Sequence, residues 1–112
     1  MARVHLNRLL TLESPRRVAD GAGGYAETWQ EIGQLWGDIS ARTGREAVIG
    51  ETPRSTTGYR ITVRAAPHGA PSRPRPHQRF RDGARLYRIE AVTDRDPHAR
   101  FLTCYCEEEV AV

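Results

Sequence analysis

The sequence predicts a mainly β protein, a small β-barrel or sandwich carrying one short α-helix, and three observations support that prediction. Residues Gly58-Tyr59-Arg60-Ile61-Thr62-Val63-Arg64-Ala65 alternate at period two, which sends Tyr59, Ile61, Val63 and Ala65 to one face of a pleated strand. Asp20-Gly21-Ala22-Gly23-Gly24 supplies the positive backbone angles of a tight reversal, because glycine carries no Cβ and aspartate bonds readily to nearby backbone. The remaining apolar runs are short and separated by glycine, proline and aspartate, a pattern of about six or seven strands.

Taken in order, Met1 to Asn7 has no period and reads as an arm. Arg8 to Glu13 is a first strand, with Leu10 and Leu12 opposite Leu9, Thr11 and Glu13. Ser14-Pro15-Arg16-Arg17 stops it, leaving Ser14 to Gly24 as a long exposed connection. After the reversal, Tyr25, Glu27 and Trp29 alternate with Ala26, Thr28 and Gln30 until Gly33 breaks the run. Gln34 to Ala41 is a further strand: Leu35, Gly37, Ile39 and Ala41 share one face, and Trp36, Asp38 and Ser40 the more polar one. Thr43, three residues before Glu46, forms a capping box for a short helix starting near Gly44, and Gly50 and Pro53 end it.

Beyond the clear strand at 58–65, Pro67 to Gln78 holds four prolines and reads as a stiff, extended loop. Arg79 to Gly83 is a short strand running into a turn. Ala84 to Thr93 is a strand with Leu86 and Val92 on one face and Tyr87, Ile89 and Ala91 on the other. Asp94 to His98 is a turn, and Arg100 to Cys106 the last strand.

A chain of 112 residues has room for one domain, 1–112, with one core, and a 38% hydrophobic share suits a fold that gains further burial by self-assembly. All 17 basic residues are arginine, and with a net charge of only +3 this reads as coding bias rather than selection for phosphate. No run approaches the roughly 18 apolar residues of a membrane span, and the N-terminus lacks the apolar stretch of a secretory signal, so a soluble, intracellular protein is expected.

No constellation for catalysis or for a cofactor stands out. Cys104 and Cys106 point the same way on one strand, which does not suit a disulfide, and with His98 they fall short of the four ligands zinc takes. They are read as reduced core thiols. His5, His68, His77 and His98 lie in arms, loops and turns without helical spacing. Gly21-x-Gly23-Gly24 has no Lys-Ser/Thr after it and no βαβ unit around it, so it is not a nucleotide loop. Glu107-Glu108-Glu109 reads as a solvated acidic end, or in a ring as a partner for Arg60 or Arg64.

The order Asp-Gly-x-Gly-Gly, Trp29, Trp36, then Gly44-Arg45-Glu46, followed by Tyr59 to Arg64, Arg85 to Ile89 and Cys106-Glu107-Glu108, resembles the head-closure or stopper proteins that join head to tail in tailed phages and phage-like gene transfer particles. That resemblance implies a non-enzymatic subunit without cofactor or metal, made in the bacterial cytoplasm and carried in the particle neck. It implies a homo-oligomeric ring between a portal-adaptor protein and a tail terminator or tail protein, helping to retain packaged DNA and touching no membrane. The competing readings are a tail-completion (terminator) ring and a nucleic-acid-binding β-barrel that uses its arginines with Tyr59 and Tyr87. Under the ring reading Trp29, Trp36, Arg45, Glu46, Arg60 and Arg64 are interface residues, with Trp36 covered by a neighbour or by the protein's own helix. Arg73, Arg75, Arg79 and Arg81, in and beside the 67–78 loop, are expected to contact the next ring or DNA and to be dispensable for the fold. The loop itself is expected to be flexible until docked.

Overall fold

The computed structural model describes residues 3–42, 45–49, 52–56 and 58–109, with 45–49 and 52–56 described as backbone only. Among the described residues eight strands make up the regular structure: β1 (Arg8–Ala19), β2 (Tyr25–Ala41), β3 (Arg45–Ile49), β4 (Thr52–Thr56), β5 (Gly58–Arg64), β6 (Arg79–Asp82), β7 (Arg85–Asp94) and β8 (Phe101–Glu109). Six of them form one antiparallel sheet in the order β1-β2-β5-β8-β7-β6, and β6 pairs back onto β1 so that the sheet closes as a barrel. Among the described residues β3 and β4 pair only with each other.

The mainly β architecture agrees with the sequence reading; the short helix does not. Arg45–Ile49 is a strand paired with Thr52–Thr56. β-branched Val48 and Ile49 lose side-chain freedom in a helix, and a paired hairpin satisfies the same backbone groups without that loss. The remainder of the expected capping box, Thr43 and Gly44, lies outside the described residues.

Pro15 does not stop the first strand, and Gly33 does not break the second. β1 and β2 pair from Arg8↔Gly37 to Ala19↔Tyr25, a long ribbon in which only Thr11 to Glu13 of β1 also meets β6, and only Gly37 to Ala41 of β2 meets β5. Past Glu13, then, β1 has one open edge, where a proline's missing N–H costs no ladder bond. Ile32 is the extra residue of a bulge opposite Leu12 and Glu13, and the bulge bends the ribbon as it leaves the barrel wall.

The expected reversal caps that ribbon. The Asp20 carboxylate accepts from the backbone N–H of Ala22 (2.8 Å) and Gly24 (3.1 Å), and Gly21 and Gly23 take φ of 81° and 85°. Those two bonds favour the charged form and hold the Asp20 carboxyl below its ordinary range. Its contribution to the turn is complete above the ordinary carboxylate pKa and is lost as pH falls through the depressed value. Amide exchange at Ala22 and Gly24 is therefore expected to quicken in acid beyond its intrinsic pH dependence, and the same acidification of an Asp20→Asn variant should not reproduce the change.

The core is the barrel interior: Leu10, Leu12, Ile61, Val63, Phe80, Tyr87, Ile89, Leu102, Cys104 and Cys106, with Ile32, Leu35, Ile39, Tyr59, Ala65 and Val92 packed against them. Val92 joins this set, contrary to its expected face, because a bulge at Glu90 inverts the alternation and sets Ile89 and Val92 opposite inward-facing Cys106 and Cys104. Gly37 is required by space: a Cβ there would lie 2.8 Å from Leu10 Cδ1 and 3.3 Å from Ile61 Cγ2. Among the described residues no helix is long and apolar enough to cross a membrane.

The 67–78 loop folds back on the barrel instead of extending from it. Consecutive turns bond Ala70 N to Pro67 O and Arg73 N to Ala70 O, and His77 N and Gln78 O bridge to Ile89. Pro74 and Gln78 are buried, with Gln78 Oε1 accepting from Arg75 N at 2.8 Å. Local bonds and a buried proline order the loop without a partner, which removes the reason to expect it flexible until docked.

Candidate interaction surface

Outward side chains of the barrel and ribbon form three distinct neighbourhoods. On the wall, Trp36 of β2 stands opposite Leu9 of β1; the two are 54% and 44% exposed, and Leu6 and Arg64 line a shallow recess beside Trp36. The arm lies over the same wall, tied by His5 N donating to the Asp38 carboxylate at 3.0 Å. Arg60 and Arg64 project outward from β5 with no ion pair among the described residues, flanking buried Thr62, which pairs with buried Thr103.

Among the described residues no helix covers Trp36. Trp36→Ala is thus expected to change the melting temperature of the isolated chain little, within about 0.5 kcal/mol for a surface site. Large destabilisation of the isolated chain would count against this placement.

The second neighbourhood is the ribbon root. Glu13, buried although it points outward, accepts from Arg79 Nε at 2.7 Å and Arg81 Nε at 3.1 Å. Arg79 also lies 4.0 Å above the Trp29 ring and 3.7 Å from Glu109. Trp29, Arg79 and Arg81 therefore come together in a fastening of ribbon to barrel rather than as separate contact groups. Sequence reasoning missed Glu13 because alternation marks it only as outward; the signal available was its place opposite an Arg-x-Arg strand. Arg73 is turned inward, its guanidinium donating to Ala66 O at 2.9 Å, and Arg75 is exposed. Arg45 and Glu46 lie on β3, where side chains are outside the described residues.

The third neighbourhood is one mouth of the barrel, a recess of about 430 Å³ lined by Asn7, Arg8, Asp38, Ile39, Ala41, Tyr59, Arg85 and Tyr87. Arg85 grips Glu108 through two bonds of 2.8 and 2.9 Å and lies over the Tyr59 and Tyr87 rings, which meet edge to face. The grip holds the Glu108 carboxyl below its ordinary range, so the acidic C-terminal run is partly neutralised within the chain. Both cysteines are free and buried. Burial pushes the Cys104 thiol up to about 12 and the Cys106 thiol higher still, where neither is a nucleophile at neutral pH. Among the described residues no group of three or more His, Cys, Asp or Glu side chains is placed to hold a metal ion.

The wall thus exposes apolar and cationic side chains together, beside a ribbon fastened at its root. The sequence profile of the phage head completion proteins matches residues 1–109. The chain belongs to that family. Among solved structures, this head completion protein is similar to a chain of the virion of a native gene transfer agent particle, at 47% identity and a TM-score of 0.77, over 99% of this chain and 100% of that one. No curated protein matches it.

Proposed function

We propose that the chain is a structural, non-enzymatic subunit that closes the head of a phage-like particle. It assembles in the bacterial cytoplasm into a ring below the portal adaptor, receives the tail and helps retain packaged DNA. The observation that carries this reading is the family match across 1–109, joined to an end-to-end likeness to a gene transfer agent virion chain. The geometry supports it: a closed sheet leaves few free edges on the barrel, while the ribbon, the Leu9/Trp36 pair and the β5 arginines remain open for neighbours.

Deleting the gene from particle-producing cells tests the proposal. Heads that are tailless or leak DNA are expected, and adding the purified protein to them should restore tail joining. Tailed, DNA-filled particles made in its absence would overturn the reading.

A further inference from the structure

The reading of a ring leaves open which surfaces of two copies meet. Glu27 and Glu31 are exposed and have no ion pair among the described residues. They occupy one face of the ribbon, opposite Arg17 and Glu13 respectively, with Trp29 between them. They are four positions apart along the strand, about 13 Å. Arg60 and Arg64 have the same spacing on one outward face of β5, again without ion pairs among the described residues and again with one residue between them. Neither stretch contains a bulge; the ribbon's bulge begins at Ile32.

The other charges on these faces do not compete strongly. Arg17 is drawn over the Tyr25 ring at 4.7 Å, Glu13 is occupied by Arg79 and Arg81, and on the wall Asp38 accepts from His5 N. Of the C-terminal carboxylates, Glu108 is held by Arg85 and Glu109 lies 3.7 Å from Arg79, so these two are poorly placed to serve as the acidic partner of β5, while Glu107 is exposed on β8 in register with Gly58 and Arg88. Apolar groups also match in position. Tyr25, 65% exposed, lies just beyond Glu27, and Trp36 lies beside Arg64.

We infer that the ribbon of one copy lies on the β5 wall of the next, with Glu27 against Arg64, Glu31 against Arg60 and Tyr25 at the Trp36 end. Ribbon and wall are different patches of one chain, so each copy gives one and receives one, the head-to-tail arrangement that closes a ring. The matched carboxylates and guanidinium groups fix register, and the aromatic groups supply apolar contact at one end. This inference rests on the proposed ring.

Charge exchange tests it in particle-producing cells. Arg60→Glu with Arg64→Glu, and separately Glu27→Arg with Glu31→Arg, should each abolish the ring and the tailed particles. All four substitutions in one chain should restore both, as should co-expression of the two double variants. Melting curves of the purified variants should match the parent, since the four sites are exposed. Normal rings from either double variant, or no rescue in the fourfold variant, would overturn the inference while leaving the proposed function standing. A defect confined to the arginine variant, accompanied by lost DNA binding, would assign the β5 wall to phosphate and also overturn it. Complete particles made without the gene would instead remove the ring reading itself.

Discussion

Phe80→Ala is expected to lower the stability of the isolated chain by about 3–5 kcal/mol, the range for deleting a fully buried aromatic ring. Phe80 has no exposed surface and sits on β6 between Leu12 of β1 and Tyr87 of β7. β6 is four residues long and meets β1 through three residue pairs, so this side chain holds the narrowest seam of the closed sheet. Loss of the ring removes apolar burial and leaves a cavity at the place where closure depends on fewest ladder bonds. The drop would consume much of the roughly 5–15 kcal/mol typical of a domain, with a fall in melting temperature of the order of 10–20 °C. Urea unfolding of Phe80→Ala beside Phe80→Leu checks the account: leucine should recover a large part of the loss, because it restores apolar volume without the ring. A Phe80→Ala chain as stable as the parent would mean that closure at β6 does not depend on this packing.

Where alternation ran undisturbed, the sequence disclosed its structure. Tyr59, Ile61 and Val63 face inward as read, Leu10 and Leu12 oppose Leu9, and both cysteines enter the core from one strand. Alternation fails wherever a residue is added without a partner. Glu90 shifts Val92 into the core, and Ile32 lets β2 run on through Gly33, because a bulge changes facing without changing composition. Pro15 misled for a related reason: proline interrupts a ladder only where its missing N–H would face a paired strand, and which edges are paired depends on strand order, which sequence does not state. The segment at 45–49 carried two local signals, a capping box and a β-branched pair, and pairing with 52–56 decides between them in favour of strand. Of the candidate surface, exposed Trp36, Arg60 and Arg64 were legible as outward residues. The grouping of Trp29, Arg79 and Arg81 around Glu13 was not, since it joins residues more than sixty positions apart in the chain.

That grouping carries the second large effect. Glu13 is nearly buried, its side chain 10% exposed, and its two oxygens are taken by separate arginines, one 15% and one 42% exposed. Removing the carboxylate charge leaves Arg79 confined between the Trp29 ring and a now neutral partner, whereas the more exposed Arg81 can turn to water. Breaking a buried pair from one side costs about 3–5 kcal/mol, and the solvent reach of Arg81 reduces this to roughly 2 kcal/mol for Glu13→Gln. Arg81→Gln should cost less than about 1 kcal/mol, as an exposed partner. Arg79→Ser should approach the Glu13 value, contrary to the expectation that the arginines in and beside the loop are dispensable for the fold. A double-mutant cycle between Glu13 and Arg79, followed by urea unfolding, measures the coupling, which should exceed that between Glu13 and Arg81. Amide exchange supplies an independent reading: among the described residues, 14–19 and 25–31 have no strand neighbours beyond each other, so loosening the root should speed their exchange more than that of β5 or β8. Equal couplings to the two arginines, or unchanged exchange in the ribbon, would remove Glu13 as the fastening and leave the ribbon held by the β1 to β2 ladder alone.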